Sequence, residues 1–233
     1  MRGTLPAKYL RCPWRGIEDA AYARYHDEEW GVPLTDDRAL FEKIVLEGFQ
    51  SGLSWLTILR KRENFRAAFH VFQPDRIARY GAKDVARLMA DAGIVRNRAK
   101  IEAAIDNAKA YLEFAERESF AQLIWSFAAE PDAHKPHRLF KSVPAESEQS
   151  RALSKRLKSM GFRFVGPTTM YAFMQSAGLV NDHLAMCHRH GACDALQRKA
   201  LARMTAANMR QGGDAPQTSA VAAGGKRRAA HDT

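Results

Sequence analysis

The sequence has few cysteines and no long apolar run. Its 233 residues contain only Cys12, Cys187 and Cys193, and this small, odd number excludes a disulfide framework and favours free thiols or metal ligands. No apolar run approaches the roughly 18 residues that a membrane span needs, and the first residues lack the apolar core of a signal peptide. We therefore expect a cytoplasmic protein that has no membrane partner.

Acidic residues are also in deficit. The chain carries 26 Asp and Glu against 36 Lys and Arg, which gives a formal net charge of +10 and an isoelectric point of about 9.7. Basic proteins favour polyanionic partners, of which nucleic acid is the commonest. A solvated basic surface without such a partner would give the same totals, so the charge alone leaves both interpretations open.

Strand-like alternation is scarce, and helical periodicity runs along most of the chain. Leu40, Phe41 and Ile44 mark one face of a helix that begins near Asp36, and similar patterns recur up to about residue 178. Only residues 162–165 are ambiguous. We predict an all-α fold, in which Ser54 begins a helix and Gly81 ends one.

The composition changes near residue 194. From there the chain is rich in Ala, Gly and polar residues, which bury too little apolar surface to offset the entropy of ordering. We therefore predict a folded domain over residues 11–193. A basic, disordered tail over 194–233 should follow it, with a frayed helix at 194–208.

A first candidate site combines His and Cys residues. His183 and Cys187 are four residues apart, so on a helix they would share one face and could bind one metal ion. Cys12 and His26 could complete a set of four protein ligands, which is typical of structural zinc, because catalytic zinc keeps one position open. A half-buried histidine beside a buried cysteine is the simpler alternative, and His188, His190 and Cys193 are competing ligands.

A second candidate is a helix-turn-helix over residues 83–112. Its turn, GIVRNR at 93–98, is similar to a helix-hairpin-helix, whose backbone N–H groups can hold a DNA phosphate. Arg96, Arg98 and Lys100 add positive charge. An ordinary pair of antiparallel helices would have the same pattern.

The third candidate is a concentration of aromatic residues around one acidic residue. Trp14, Tyr22, Tyr25, Trp30 and Trp55 occur within the first quarter of the chain. Within an apolar stretch nearby lies Glu47, whose carboxylate is costly to bury without a partner. Packing of the aromatic side chains in a core and exposure of Glu47 on a helix are the alternatives.

Seven sequence blocks resemble the 3-methyladenine DNA glycosylase I family. They are YHDEEWGVP (25–33), LEG (46–48), GLSW (52–55), KRENFR (61–66), DAGIVR (91–96), GFRFVG (161–166) and GLVNDH (178–183). The blocks occur in the family's order, and the resemblance extends over about residues 11–188. It implies a fold like that of helix-hairpin-helix DNA glycosylases, with the two chain ends joined at one structural zinc ion.

The resemblance also implies a role for each candidate residue. Glu47 would be the catalytic and base-recognising carboxylate. The substrate pocket would comprise Tyr22, Tyr25 and Trp55, with Trp14 and Trp30 around them. Residues 92–98 would anchor DNA through Gly93, Val95, Arg96 and Arg98, although the second of the family's two hairpin glycines is replaced here. The zinc ligands would be Cys12, His26, His183 and Cys187.

The implied activity is excision of 3-methyladenine from alkylated double-stranded DNA by a monomeric enzyme. The family lacks the catalytic Asp of other helix-hairpin-helix glycosylases, and no nucleophilic Lys is implied, so the enzyme should be monofunctional and have no lyase step. Two rival functions remain at this stage. One is a noncatalytic DNA-binding protein with the same fold, and the other is a zinc hydrolase that uses the His and Cys residues.

Overall fold

The computed structural model describes residues 10–131 and 135–210, and these residues fold as helices joined by short loops. The helices are α1 (Ala20–Glu28), α2 (Asp37–Gln50), α3 (Trp55–Ala68), α4 (Pro74–Ile77), α5 (Ala82–Ala90), α6 (Arg98–Ala115), α7 (Phe120–Trp125), α8 (Glu148–Ser159), α9 (Pro167–Ser176) and α10 (His190–Arg210). No strand occurs in these ranges, which confirms the all-α prediction. None of the described helices combines the length and the apolar character needed to cross a bilayer.

Helix α2 lies at the centre of the fold and positions the candidate site. It packs against α3, α6, α7 and α9, and its apolar side chains, such as Leu40, Ile44 and Phe49, are buried. A helix surrounded in this way normally carries few charges. Nevertheless α2 also buries Lys43 and Glu47, and those two charged residues need a separate explanation.

Helix boundaries follow local capping groups. The side chains of Asp36 and Ser54 each accept a hydrogen bond from a backbone N–H in the first turn of α2 and α3, so both helices begin where predicted. Gly81 does not end a helix as predicted. It precedes α5, and its N–H donates to the Asp84 carboxylate. The ambiguous run around Phe164 is not a strand, because Phe164 has a φ of 55°.

Helix α10 departs most from the sequence prediction. The domain boundary expected after residue 193 falls inside this helix, which continues to Arg210. The Gln197 amide donates to the carbonyls of Ala129 and Leu179, at 3.2 and 2.8 Å, and Ala200 is buried in the core. The segment expected to be a frayed helix therefore packs as part of the domain. The prediction for 211–233 concerns residues outside the described ranges.

Candidate functional site

One cavity of about 510 Å³ collects the aromatic candidates and Glu47. It lies between the loop before α1, α1 itself, the facing ends of α2 and α3, and α9. All six residues of the third sequence candidate line it: Trp14, Tyr22, Tyr25, Trp30, Glu47 and Trp55. We call this space the aromatic cavity.

The aromatic rings form a continuous wall. Trp14 is in the middle of the group, with ring centroids 5.0 Å from Tyr22 and 4.8 Å from Trp30. Tyr25 lies 5.4 Å from Trp55 across a tilted contact. Tyr25 is almost completely buried, whereas Trp14, Tyr22 and Trp55 are partly accessible. The wall therefore presents ring faces and edges to a ligand rather than filling the cavity.

Glu47 places a buried carboxyl group in this apolar wall. Only 3% of the residue is exposed, and burial raises its pKa to about 7, although Lys43 and the hydroxyl of Ser176 oppose that shift. The Ser176 hydroxyl donates a hydrogen bond of 2.9 Å to Oε1 of Glu47. The group is thus close to half-ionised at neutral pH, and a bound cation would favour its charged form.

Sequence reasoning missed both residues that affect Glu47. Ser176 ends α9, 129 residues away in sequence, and no local pattern could have connected the two. Lys43 could have been identified from the sequence, because it precedes Glu47 by one helical turn and therefore shares its face of α2. A lysine in a run as apolar as FEKIVLEGF was the available indication.

The His and Cys candidates meet in a second, fully buried group, which we call the Cys2His2 cluster. It consists of Cys12, His26, His183 and Cys187, whose potential ligand atoms all lie within 4.8 Å of one another. His183 and Cys187 do not lie on a helix, as the spacing argument assumed, but in the turns between α9 and α10. Those turns bring the two side chains together just as a helix would.

The spacing of the donor atoms fits a tetrahedral metal ion. Three sulfur–nitrogen separations are 3.4, 3.5 and 3.7 Å. Bond lengths of about 2.3 Å to sulfur and about 2.0 Å to nitrogen give tetrahedral edges of roughly 3.5 Å. Four protein ligands would fill a tetrahedral shell and leave no position for a reactive water, which disfavours the zinc hydrolase alternative.

Surrounding groups orient both histidine rings towards the cluster. Nε2 of His183 is 3.0 Å from the Trp30 carbonyl, and Nδ1 of His26 is 2.9 Å from the Asp27 carboxylate. Such outer contacts are usual for metal-binding histidines, because they fix the ring and leave the other nitrogen for the metal. Burial also lowers the pKa of His183, which favours the neutral ring that a metal requires.

The competing ligands have other contacts. His188 and His190 have Nδ1 at 3.0 and 2.8 Å from the carbonyl oxygens of Leu10 and His183, respectively. Cys193 is buried but does not belong to the cluster. Of the His and Cys residues considered as metal ligands, only Cys12, His26, His183 and Cys187 therefore lie together.

The cluster and the aromatic cavity share a wall. The Trp14 ring is 4.9 Å from His26, and the Trp30 ring is 4.5 Å from His183, both measured between centroids in edge-on contacts. Two of the indoles that line the aromatic cavity therefore pack directly against histidines of the cluster.

Comparison with known sequences decides the family. The sequence model of the methyladenine glycosylase family matches residues 14–190, a range that contains the whole aromatic wall and three of the four cluster residues. The chain belongs to the methyladenine glycosylase family. The resemblance found in the sequence blocks is thereby confirmed.

Individual relatives of this methyladenine glycosylase family member agree in sequence and in fold. The DNA-3-methyladenine glycosylase of Haemophilus influenzae is 52% identical over 178 residues, which cover 76% of this chain and 96% of the relative. A crystal structure of 3-methyladenine DNA glycosylase I superposes with a TM-score of 0.73 at 50% identity, covering 78% of this chain and all of the other. A third relative, a variant of a 3-methyladenine DNA glycosylase I in complex with 3-methyladenine, has a TM-score of 0.68 at 38% identity, covering 74% of this chain and 93% of the other.

In this methyladenine glycosylase family member, helices α5 and α6 form the predicted hairpin. Asp91 accepts the Gly93 N–H at 2.7 Å, and Lys61 donates to the carbonyls of Ala92 and Gly93. A Cβ at Gly93 would lie 2.9 Å from the Asp91 carboxylate and 3.2 Å from Asn64, so the turn has no room for a side chain there.

The hairpin also has donors for an anion. In the described part of the chain, no acceptor is in hydrogen-bond range of the backbone N–H groups of Val95, Arg96 and Arg98. Arg96 and Arg98 are exposed, and Val95 is half-buried. Lys100 was wrongly expected to add charge here, because it is buried and its ammonium donates to the carbonyls of Phe49 and Ser51.

Proposed function

We propose that this protein is a DNA-3-methyladenine glycosylase that hydrolyses the bond between the methylated base and deoxyribose in alkylated DNA. The observation that carries the proposal is the buried Glu47 carboxyl group in an aromatic cavity that can hold a purine. The names of the relatives and the bound 3-methyladenine in one related structure support the same substrate.

Recognition would rest on the positive charge of the lesion. 3-Methyladenine in DNA is a cation, whereas normal adenine is neutral. Aromatic faces attract a cation by about 0.5–2 kcal/mol each, most strongly when water is excluded. The Glu47 carboxylate would accept hydrogen bonds from the adenine edge and balance the charge. Both contributions favour the damaged base over its normal counterpart.

The reaction would need little acid catalysis. Water forms a bond to C1′ of the sugar while the glycosidic bond breaks, and the electron pair of that bond neutralises the departing base. The water proton is released to solvent. The enzyme must rotate the nucleotide out of the duplex, which costs a few kcal/mol, and must select the cationic base. Glu47 would contact that base, and no lysine nucleophile is required, so we propose a monofunctional enzyme.

The remaining contacts complete the proposal. Gly93, Val95, Arg96 and Arg98 would hold a DNA phosphate, with the hairpin N–H groups as donors. The Cys2His2 cluster would bind one structural zinc ion, which supplies cross-linking and no reaction step. We further propose that the enzyme is a monomer that acts on double-stranded DNA in the cytoplasm.

Chromatography of the bases released from methylated DNA tests this function. The purified protein should release free 3-methyladenine, and the resulting abasic strand should stay intact until it is treated with alkali. Binding of the DNA without release of any base would contradict the proposal and support the noncatalytic alternative. Strand cleavage without alkali would contradict the monofunctional assignment.

A further inference from the structure

Lys43 is a buried cation that none of the roles above uses. Only 8% of the residue is exposed. Its ammonium lies 4.9 Å from the Trp55 ring centroid and 5.2 Å from the Tyr25 ring centroid. Among the described residues it has no hydrogen-bond partner and no ion pair within 4.0 Å. Burial lowers its pKa, as expected for a desolvated ammonium group.

The position of Lys43 is behind the substrate wall. It lines a second cavity of about 200 Å³, the rear cavity, and not the aromatic cavity. Tyr25, Trp55 and Glu47 line the aromatic cavity but not the rear one, and Ser176 lines both. Lys43 therefore contacts the rings that would face the base without reaching the base itself.

Two of the acidic residues around Lys43 are paired with arginines. Glu29, after α1, receives two hydrogen bonds from Arg62 on α3. Glu42 on α2 receives one of 2.7 Å from Arg66 on α3. Arg66 also bonds Glu63, and Glu28 lines the rear cavity at the exposed end of α1. Glu47, one helical turn along α2, is therefore the fully buried acidic group for Lys43 to influence.

The groups around Glu47 reinforce this assignment. Tyr22 and Tyr25 on α1 have pKa values raised by burial, with the Glu47 charge as a further cause, so both are neutral at physiological pH. Asp182 also lines the aromatic cavity, but its carboxylate accepts hydrogen bonds from Tyr171 and Gln175. Lys43 is the cation that lowers the pKa of Glu47 against the effect of burial.

We propose that Lys43 is a positioning residue for specificity: from behind Tyr25 and Trp55 its charge favours the ionised form of Glu47 in the empty cavity and so sets the pH range in which a cationic base is selected. The inference rests on the proposed function. Lys43 also repels the cationic base from behind the wall, so it favours recognition at low pH and opposes it slightly at high pH. A residue with a purely structural role would have no such reversal.

Replacing Lys43 by methionine tests the proposal, because methionine fills similar space without charge. Single-turnover excision from methylated DNA would be measured between pH 5.5 and pH 9. At about pH 6 the variant should be at least roughly fivefold slower than wild type, since each unit of pKa changes the ionisation ratio about tenfold. At about pH 9 it should match or slightly exceed wild type.

A measurement without substrate separates this inference from the proposed function. The Glu47 carboxyl would be titrated by carbon-13 NMR in the free protein, with its signal assigned by comparison with Glu47→Gln. In Lys43→Met the pKa of Glu47 should move upwards. This titration stays informative even if the wild type releases no 3-methyladenine, an outcome that would count against the proposed function alone.

Three variants serve as controls. Lys43→Arg keeps the cation, for which the rear cavity has space, and should keep the wild-type pH profile. Lys109→Met removes an exposed charge from α6 and should change neither the profile nor the titration. Lys43→Gln repeats the neutral substitution if methionine prevents folding. The proposal is overturned if the neutral variants lose the same factor at every pH while the Glu47 titration stays unchanged.

Discussion

The residue whose energetics matter most is Glu47. In the unfolded chain its carboxyl group has an ordinary pKa near 4.5, whereas burial raises the folded value to about 7. The folded state therefore holds the proton more tightly, and ionisation of Glu47 destabilises the fold. This cost is absent below about pH 4.5, grows as the pH rises, and is complete above about pH 7.

Substitution of Glu47 by glutamine should separate stability from activity. Above pH 7 the variant should be more stable than wild type by up to about 3 kcal/mol, because each pKa unit corresponds to about 1.4 kcal/mol. Excision should nevertheless fall roughly tenfold or more, since a hydrogen bond to a charged group contributes about 1.5–3 kcal/mol. Thermal unfolding at several pH values and single-turnover excision measure the two effects.

The exposed Glu113 provides the matched control. Glu113→Gln should change neither the pH dependence of unfolding nor the rate of excision. If folded Glu47→Gln excised the base at the wild-type rate, the proposed role of Glu47 in base recognition would be wrong. Base selection would then depend on the aromatic wall alone.

At the scale of the element, the hairpin between α5 and α6 carries the proposed DNA contact. Replacing both Arg96 and Arg98 by glutamine should weaken binding of undamaged duplex and reduce the slope of log affinity against log salt by about 1 for each phosphate that the protein no longer neutralises. Excision of base from saturating DNA should change little, because Glu47 is untouched. Fluorescence anisotropy over a series of salt concentrations measures the slope.

The control for this pair removes two charges from a different helix. Lys199 and Arg203 are exposed on α10, beyond the part of the chain that matches the family. Replacing both residues by glutamine removes two positive charges, as the Arg96 and Arg98 replacements do. Equal salt slopes for the two double variants would show that the hairpin is not the phosphate site.

The start of a helix was predictable from the sequence where a local signal, such as a capping residue, determined it. The caps at Asp36 and Ser54 and the Pro167 start of α9 are local, and all three helices form as expected. Helix α10 was underestimated because its stability comes from tertiary contacts. Its Gln197 bonds and the burial of Ala200 depend on α7 and on residue 179, and composition does not reveal such contacts.

The sites show the same division between local and long-range information. The sequence motifs indicated the aromatic residues and Glu47 as site candidates, and these residues do line one cavity. The link from Ser176 to Glu47 and the burial of Lys43 depend on how α2 packs in three dimensions. A single sequence does not carry that packing explicitly.

For the whole molecule, the Cys2His2 cluster connects residues 12 and 26 with residues 183 and 187, which are far apart in the sequence. We expect one zinc ion per protein to co-purify, and Cys187→Ala should lose it. Removal of the metal should lower the melting temperature by roughly 2–4 °C for each kcal/mol that the ion contributes to folding. Atomic emission and calorimetry would measure the two quantities.

Cys193→Ala is the control for the loss of a buried thiol, since Cys193 lies outside the cluster. This variant should retain a full equivalent of zinc. If Cys187→Ala also retained a full equivalent, the cluster would not be the metal site. The edge-on contacts of Trp14 and Trp30 with the cluster histidines predict that metal-free protein also loses excision.

The distance in sequence between the cluster residues has a consequence for biosynthesis. Cys12 leaves the ribosome early, but Cys187 is added only after nearly all of the domain. At about 5–20 residues per second, the first thiol waits roughly 10–35 s for its partner. Until then the cluster that Trp14 and Trp30 contact is incomplete. Nascent and prematurely terminated chains should therefore be unable to excise bases, so that completed translation is a precondition for repair.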